Sequence, residues 1–456
     1  MVLPGSGAAG SRPAVVCGGG GGLQAIALSC PDKWLHAMSL CSRLRCVRPD
    51  LRQHRIPPPP APLERLHVLE QVESAAGLVL WRALVDVRLW ASAPAERRHL
   101  FQPPNGDVHE RFALARSETP ELAPALGTFA LLLQAPEVLD AGQVADACAF
   151  VHEWADERGL VLTALLFAEA AAHAEPDDPG RANLAARSAR RVTEFDRAGA
   201  WHLRAYKLAV RAKDEREKVW ALLGYGTMMQ ATGRYAEARR FFHKSARRAR
   251  ATGRRKEAGI AHHNLSNIAV ETGKYRLAEV HVNTALSLYP HDYPRIPPLA
   301  HDYAFSLLRQ HHYSAALYLL ERVVPLIQRP EERALVLSSL AWAAAGAGRL
   351  QRFAEAERTA VELVGIFADF AAAVFLHLAE GWRLCSDWER ADRYAEAARA
   401  AAEQRKEPHL AREAADLREA LRERQGVVDD APPTSRTRGV LRDLSNRLRE
   451  WKQAPD

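Results

Sequence analysis

An aromatic residue followed three positions later by alanine recurs along one stretch of this 456-residue chain. The pairs are Tyr235/Ala238, Tyr275/Ala278, Tyr313/Ala316, Phe353/Ala356 and Trp388/Ala391, with alanine-to-alanine steps of 40, 38, 40 and 35 residues. A period in this range marks one supersecondary unit repeated in tandem, which removes most fold classes from consideration. A turn or polar pair precedes each aromatic: Gly233-Arg234, Gly273-Lys274, His311-His312, Gln351-Arg352 and Ser386-Asp387. Each unit therefore reads as a helix, a short turn and a second helix opening with the aromatic. Antiparallel helices packed about 8 to 10 Å apart need a small side chain at the crossing, and alanine supplies it. The aromatic fills the hollow between one hairpin and the next, because a single hairpin cannot cover its own apolar face. Copies lacking the aromatic centre on Ala164 and Ala200, with Gly159 and Pro176 marking turns.

These residues resemble the tetratricopeptide repeat family in its bacterial form. Gly233-Arg-Tyr-Ala-Glu-Ala238 and Gly273-Lys-Tyr-Arg-Leu-Ala278 look like that family's turn and second-helix start. Gly226, twelve residues before Ala238, matches its small first-helix position, and Pro290, twelve after Ala278, its closing proline. The resemblance is closest over residues 219–290, continues to 403, and is weaker over 140–212. It implies an all-α fold: a right-handed superhelical α-solenoid of about seven TPR-like helical hairpins over 140–425. Steps longer than the family's typical 34 residues imply extended helices or loops.

The flanks differ from the array. Residues 1–62 hold the runs Gly18–Gly22 and Pro57–Pro60 and little periodicity, so they are expected to be disordered. Leu23–Cys30 is faintly like an export signal, but its apolar run is too short. Residues 63–139 carry apolar positions three or four apart, with Trp81 and Trp90 as anchors, and predict a helical region that extends or caps the array. The loop Gln102–Asp107 ends its first part. A linker is expected over 426–438. Over 439–456, Leu441, Leu444, Leu448 and Trp451 fall on one face of an amphipathic helix, expected to cap the solenoid end or to meet a partner.

Composition narrows the function classes. No run approaches the roughly 20 apolar residues of a membrane span, so no membrane partner is expected. Four of six cysteines, at 17, 30, 41 and 46, lie before residue 47, unlike a disulfide-stapled fold, and the reading is cytoplasmic. The chain has no Gly-x-x-x-x-Gly-Lys loop, no Gly-x-Ser-x-Gly elbow and no metal-ligand spacing, so neither catalytic residues nor a cofactor or metal is assigned.

In the family resembled, the first helix of each hairpin lines a concave groove that binds extended peptides. Registering the hairpins on their alanines turns Trp220 and Thr227 inward, then His263, Asn264 and Asn267, then His301, Asp302 and Phe305, then Trp342. The alternative is that these side chains bond only within the solenoid. The family's carboxylate clamp fits Asn264 and Asn267 but not His263 or Asp302. A basic patch of Arg240, Lys244, Arg247, Arg248, Arg254, Arg255 and Lys256 lies on and after one second helix. Such a patch suits phosphate contacts, yet second helices face outward, where basic side chains are solvated. The leading expectation is a non-enzymatic scaffold that binds a peptide segment of another protein. A peptide- or ligand-responsive regulator and a nucleic-acid-associated protein are the alternatives.

Overall fold

The computed structural model describes residues 55–63, 67–93, 108–424 and 429–451. Residues 1–54, the Gln102–Asp107 loop and Cys17, Cys30, Cys41 and Cys46 lie outside the described residues. All regular structure among the described residues is helical. Helices α1 (His67–Gln71), α2 (Ala75–Ser92), α3 (Val108–Glu118) and α4 (Ala123–Gln134) precede the array. Seven hairpins follow: α5/α6 (Ala141–Glu157, Val161–Ala174), α7/α8 (Pro179–Arg191, Phe195–Arg211) and α9/α10 (Glu215–Ala231, Tyr235–Ala251) come first. Next are α11/α12 (Arg255–Glu271, Tyr275–Leu288), α13/α14 (Ile296–Leu308, Tyr313–Val323), α15/α16 (Pro330–Gly346, Leu350–Ile366) and α17/α18 (Ala371–Leu384, Trp388–Gln404). An unpaired α19 (Pro408–Arg422) and a last helix, α20 (Ser435–Glu450), complete the chain. No single described helix is long and apolar enough to cross a membrane.

The repeat pattern has direct packing causes. Ala238, Ala278, Ala316, Ala356 and Ala391 are all buried at helix crossings. A Cβ on Gly226 would stand 2.6 Å from Phe242 Cε1, so only glycine lets α9 and α10 approach this closely. The repeat aromatics reach forward to the next hairpin. Tyr275 Oη donates to the Arg309 carbonyl at 3.3 Å, and Tyr313 and Phe353 pack against Gly346 and Gly381. The turns need one left-handed residue each: Gly233, Gly253, Gly273 and Gly348 fill it in some, while Thr193, Lys213, His311 and Ser386 fill it elsewhere. In the second hairpin the buried crossing alanine is Ala198; Ala200 is exposed, so the register read from sequence there is two residues off.

Two expectations for the flanks are corrected. Residues 55–62, expected to be disordered, lie extended along α8: Arg197, Arg204 and Lys207 donate to the carbonyls of Ala61, Pro57 and Arg55, the last at 3.0 Å. A proline run has fixed φ and no N–H donors, so it offers a rigid row of acceptors to a basic helix face. Nor does α20 sit at the solenoid end. It packs across α12, α13 and α14 with Val440, Leu444 and Leu448 buried. Trp451 Nε1 donates to the Tyr293 carbonyl at 3.3 Å, and Arg447 to those of Leu286 and Tyr289 at 2.9 and 3.1 Å. The helix begins at Ser435, not 439, because Thr434 caps it by accepting from Thr437 N at 3.1 Å. Before it, Ala431 N donates to the His311 carbonyl at 2.8 Å, so the expected linker is pinned to the fifth hairpin.

Candidate functional site

The solenoid curls until its ends meet. Arg191, closing α7, donates to Glu331 Oε1 at 3.2 Å and to Asp369 Oδ2 at 3.3 Å. Arg405, after α18, lies 3.7 Å from Asp369 Oδ1, and its Nη2 reaches the Arg191 carbonyl at 3.5 Å. The first helices of the hairpins thereby surround an inner channel made of three joined cavities, of about 620, 650 and 500 Å³. The first two share Arg187, Arg190, Thr227 and Asn264, and the last two share Gln230, Asn267 and Glu271.

Most groove residues read from the sequence line this channel. Trp220, Thr227 and Asn264 are on the walls of the first cavity, and Asn267, His301, Asp302, Phe305 and Trp342 on those of the last. His263 does not: it is buried behind the wall, where its Nε2 donates to Asp302 Oδ2 at 2.8 Å. Asn267 Nδ2 donates to the same oxygen at 2.6 Å, and His301 Nδ1 lies 3.3 Å from Oδ1. Burial alone would raise the Asp302 carboxyl, but these imidazole contacts hold it well below the usual carboxylate range. Asp302 is therefore a structural anion knitting α11 to α13.

Beyond it the channel is aromatic. Phe305, Trp342 and His377 stack with centroids 5.3 to 6.1 Å apart. Ser338 Oγ donates to the Leu335 carbonyl at 2.8 Å and shares a 2.9 Å hydrogen bond with His377 Nδ1, so Ser338 is occupied within the wall. Burial, then the nearby His301 and Arg309 charges, lowers the His377 imidazole to about 3. Glu271 faces the same space, crowded by protein and by the Glu413 carboxylate, and burial followed by that repulsion lifts it to about 7. Helix α19 forms one wall through Leu410, Glu413 and Leu417, with an Arg309–Glu413 ion pair tying it to α13. In contrast, the side-chain amides of Gln230 and Asn264, on adjacent first helices, make no hydrogen bond among the described residues.

Sequence reasoning missed Arg187, Arg190 and Arg295, which line the first cavity, and all of α19. Arg187 holds the same hairpin position as Thr227 and Asn267, eleven residues before its crossing alanine, but only in a register anchored on Ala198.

The basic patch is partly consumed within the chain. Arg248 Nη2 reaches Glu215 Oε1 at 3.0 Å, and Arg255 donates to the Ser287 carbonyl at 3.2 Å. Lys244 and Lys256 sit over the rings of Tyr206 and Tyr293 at 5.1 and 5.7 Å, and Arg254 is half-buried. Arg240 and Arg247 remain exposed. No group of three His, Cys, Asp or Glu among the described residues is placed to hold a metal. Burial pushes the Cys148 thiol far above its ordinary range, and Cys385 is raised by the same cause.

Residues 217–291 match the sequence profile of the tetratricopeptide repeat family, and the array around them is TPR-like throughout. Comparison with curated proteins found no match. Among solved structures, the chain is similar to BtubC from P. vanneervenii at 13% identity and a TM-score of 0.36, over 50% of this chain and 93% of that one. The Rap conjugation gene regulator of plasmid pLS20, solved with the Phr* peptide, gives 13% identity and 0.41 over 81% and 95%. The Cut9–Hcn1 hetero-tetramer of the APC/C gives 13% and 0.45 over 75% and 62%.

Proposed function

We propose that this chain, an α-solenoid of tetratricopeptide-like hairpins, is a non-enzymatic interaction protein whose inner channel binds a peptide segment of a partner. The observation that supports the reading most is the pair of unengaged amides: Gln230 in the cavity of the Phe305–Trp342 aromatic wall, and Asn264 in the cavity that adjoins it. An extended peptide presents N–H and C=O groups at regular spacing, and side-chain amides satisfy both kinds. The aromatic wall supplies the apolar pocket that such recognition needs. Random peptides displayed and selected on the full chain test this. Selected peptides should lose binding by more than tenfold to the Gln230→Ala/Asn264→Ala/Phe305→Ala protein; equal binding to that protein would exclude the channel.

The Arg191–Asp369 closure favours the regulatory form of the same reading. A ring held by a few ion pairs has open and closed forms that a channel ligand discriminates. A hydrodynamic radius unchanged at saturation with a selected peptide would rule the regulatory form out. The nucleic-acid reading rests on Arg240 and Arg247, and requires an affinity that falls steeply with salt.

A further inference from the structure

Arg187 and Arg190 stand one helical turn apart on α7, and Arg295 precedes α13; all three line the 620 Å³ cavity. Other arginines in this region are paired: Arg181 with Asp146 and Glu175, Arg191 with Glu331 and Asp369. Among the described residues, Arg187, Arg190 and Arg295 have no carboxylate within ion-pair distance, and Arg190 Nε is buried without a partner. In the adjoining cavity, which Arg187 and Arg190 also line, Asp156, Glu331 and Asp369 pair with Arg191, Arg329 or Arg405, and Glu332, raised by burial, feels both Arg329 and Arg295 without an ion-pair contact to the latter. The acids on the wall of the 620 Å³ cavity are likewise engaged or turned to solvent. Asp178 caps α7 by accepting from Arg181 N at 2.7 Å, Glu217 accepts from Asn183 at 2.8 Å, and Glu153 is exposed.

A second feature points into the same space. His202 lines the cavity at 3% exposure, and neither ring nitrogen has a hydrogen-bond partner. Burial, followed by the Arg190 charge, lowers its imidazole to about 3, so it stays neutral and keeps one unused N–H donor. Arg190 itself is lowered to about 10, first by burial and then by Arg187, Arg295 and Arg191. Arg190 and Arg295 are half-buried and Arg187 is exposed at the cavity rim, and like charges held this close in a partly desolvated space repel until an anion enters.

We propose that this cluster is a binding site for a phosphate-type dianion, free or as a phosphomonoester. Guanidiniums present planar, bidentate donors that match phosphate oxygens. Three of them exceed the charge of any single carboxylate. A dianion neutralises most of the cluster, and the cavity leaves room beside Trp220 for whatever the phosphate is attached to. The inference goes beyond the peptide reading, since the aromatic end of the channel can be occupied with this end empty.

The test is ³¹P NMR of the full chain at constant ionic strength, with inorganic phosphate, glucose 6-phosphate and N-acetyl-O-phosphoserine amide as probes. Saturable broadening is expected for at least one probe, weakened tenfold or more in Arg190→Gln and clearly in Arg295→Gln, but unchanged in Arg247→Gln on the outer face. A preference for the phosphoserine probe assigns the site to a phosphorylated side chain, and a preference for the sugar phosphate to a metabolite. No saturable binding, or equal binding in the Arg190→Gln and Arg295→Gln proteins, overturns the proposal. Circular dichroism checks folding, and Arg295→Gln serves alone where Arg190→Gln does not fold. Phosphate binding without any channel peptide would overturn the proposed function while leaving this site standing.

Discussion

Arg191 and Asp369 are 178 residues apart in sequence and 3.3 Å apart in space, and their contact joins the second hairpin to the segment between the sixth and seventh. Both side chains are half-buried or more, so the pair is poorly screened and its loss leaves charges facing each other across the ring seam. Arg191→Met is expected to destabilise by about 1–3 kcal/mol and to raise the radius of gyration in small-angle scattering, with helical content unchanged. An unaltered radius would mean that packing, not this seam, closes the ring.

The repeat glycines separate into two physical classes. An added Cβ on Gly273 meets nothing within 4 Å, so Gly273→Ala carries only the strain of φ 68°, about 1 kcal/mol. Gly226→Ala drives a methyl into the Phe242 ring and is expected to cost about 3 kcal/mol or more through overpacking. Urea unfolding of the two variants distinguishes them; equal losses would contradict the crossing geometry.

Those same positions explain what was legible in the sequence. Hairpins three and four announce themselves because Gly233 and Gly273 mark their turns and Tyr235 and Tyr275 open their second helices. The second hairpin carries the same pair, Phe195/Ala198, 40 residues before Ala238, but Thr193 takes the left-handed turn conformation without being glycine, and a register centred on Ala200 passes over it. That two-residue slip is why Arg187 and Arg190 went unread, since it turns each helix position through about 200°. Ring closure and the docking of α20 depend on contacts more than 100 residues apart, such as Thr437 Oγ1 to Glu279 Oε1 at 2.8 Å, which no periodicity encodes. The channel-facing role of Asn264, Asn267 and Phe305 needed only the local repeat. The retreat of His263 behind the wall depends on Asp302 from the next hairpin.

Helix α20 contributes core, not decoration. Leu444 is fully buried against the fourth and fifth hairpins, and Leu444→Ala is expected to cost about 2–5 kcal/mol. Leu441, only half-buried on the same helix, should cost less as Leu441→Ala, and calorimetric midpoints of the pair check the docking.

Acid sensitivity should be traceable to His377. Its imidazole is neutral in the fold, with a value near 3 against an ordinary 6.5, so the unfolded chain binds the proton more readily. Stability is therefore fully present above pH 6.5 and falls as pH drops toward 3, by up to about 1.4 kcal/mol per pH unit from this group. His377→Gln keeps an uncharged hydrogen-bonding group for Ser338 and should flatten that part of the profile. Urea midpoints at pH 7 and pH 4.5 measure it, and an unchanged difference would contradict the assignment.

In the proposed function the inner channel, not the outer face, receives the partner segment. A photoreactive phenylalanine analogue placed at Phe305 in one protein and at Arg247 in another tests it with a selected peptide. Efficient cross-linking is expected from position 305, with none above background from 247. Cross-linking from 247 alone would contradict it.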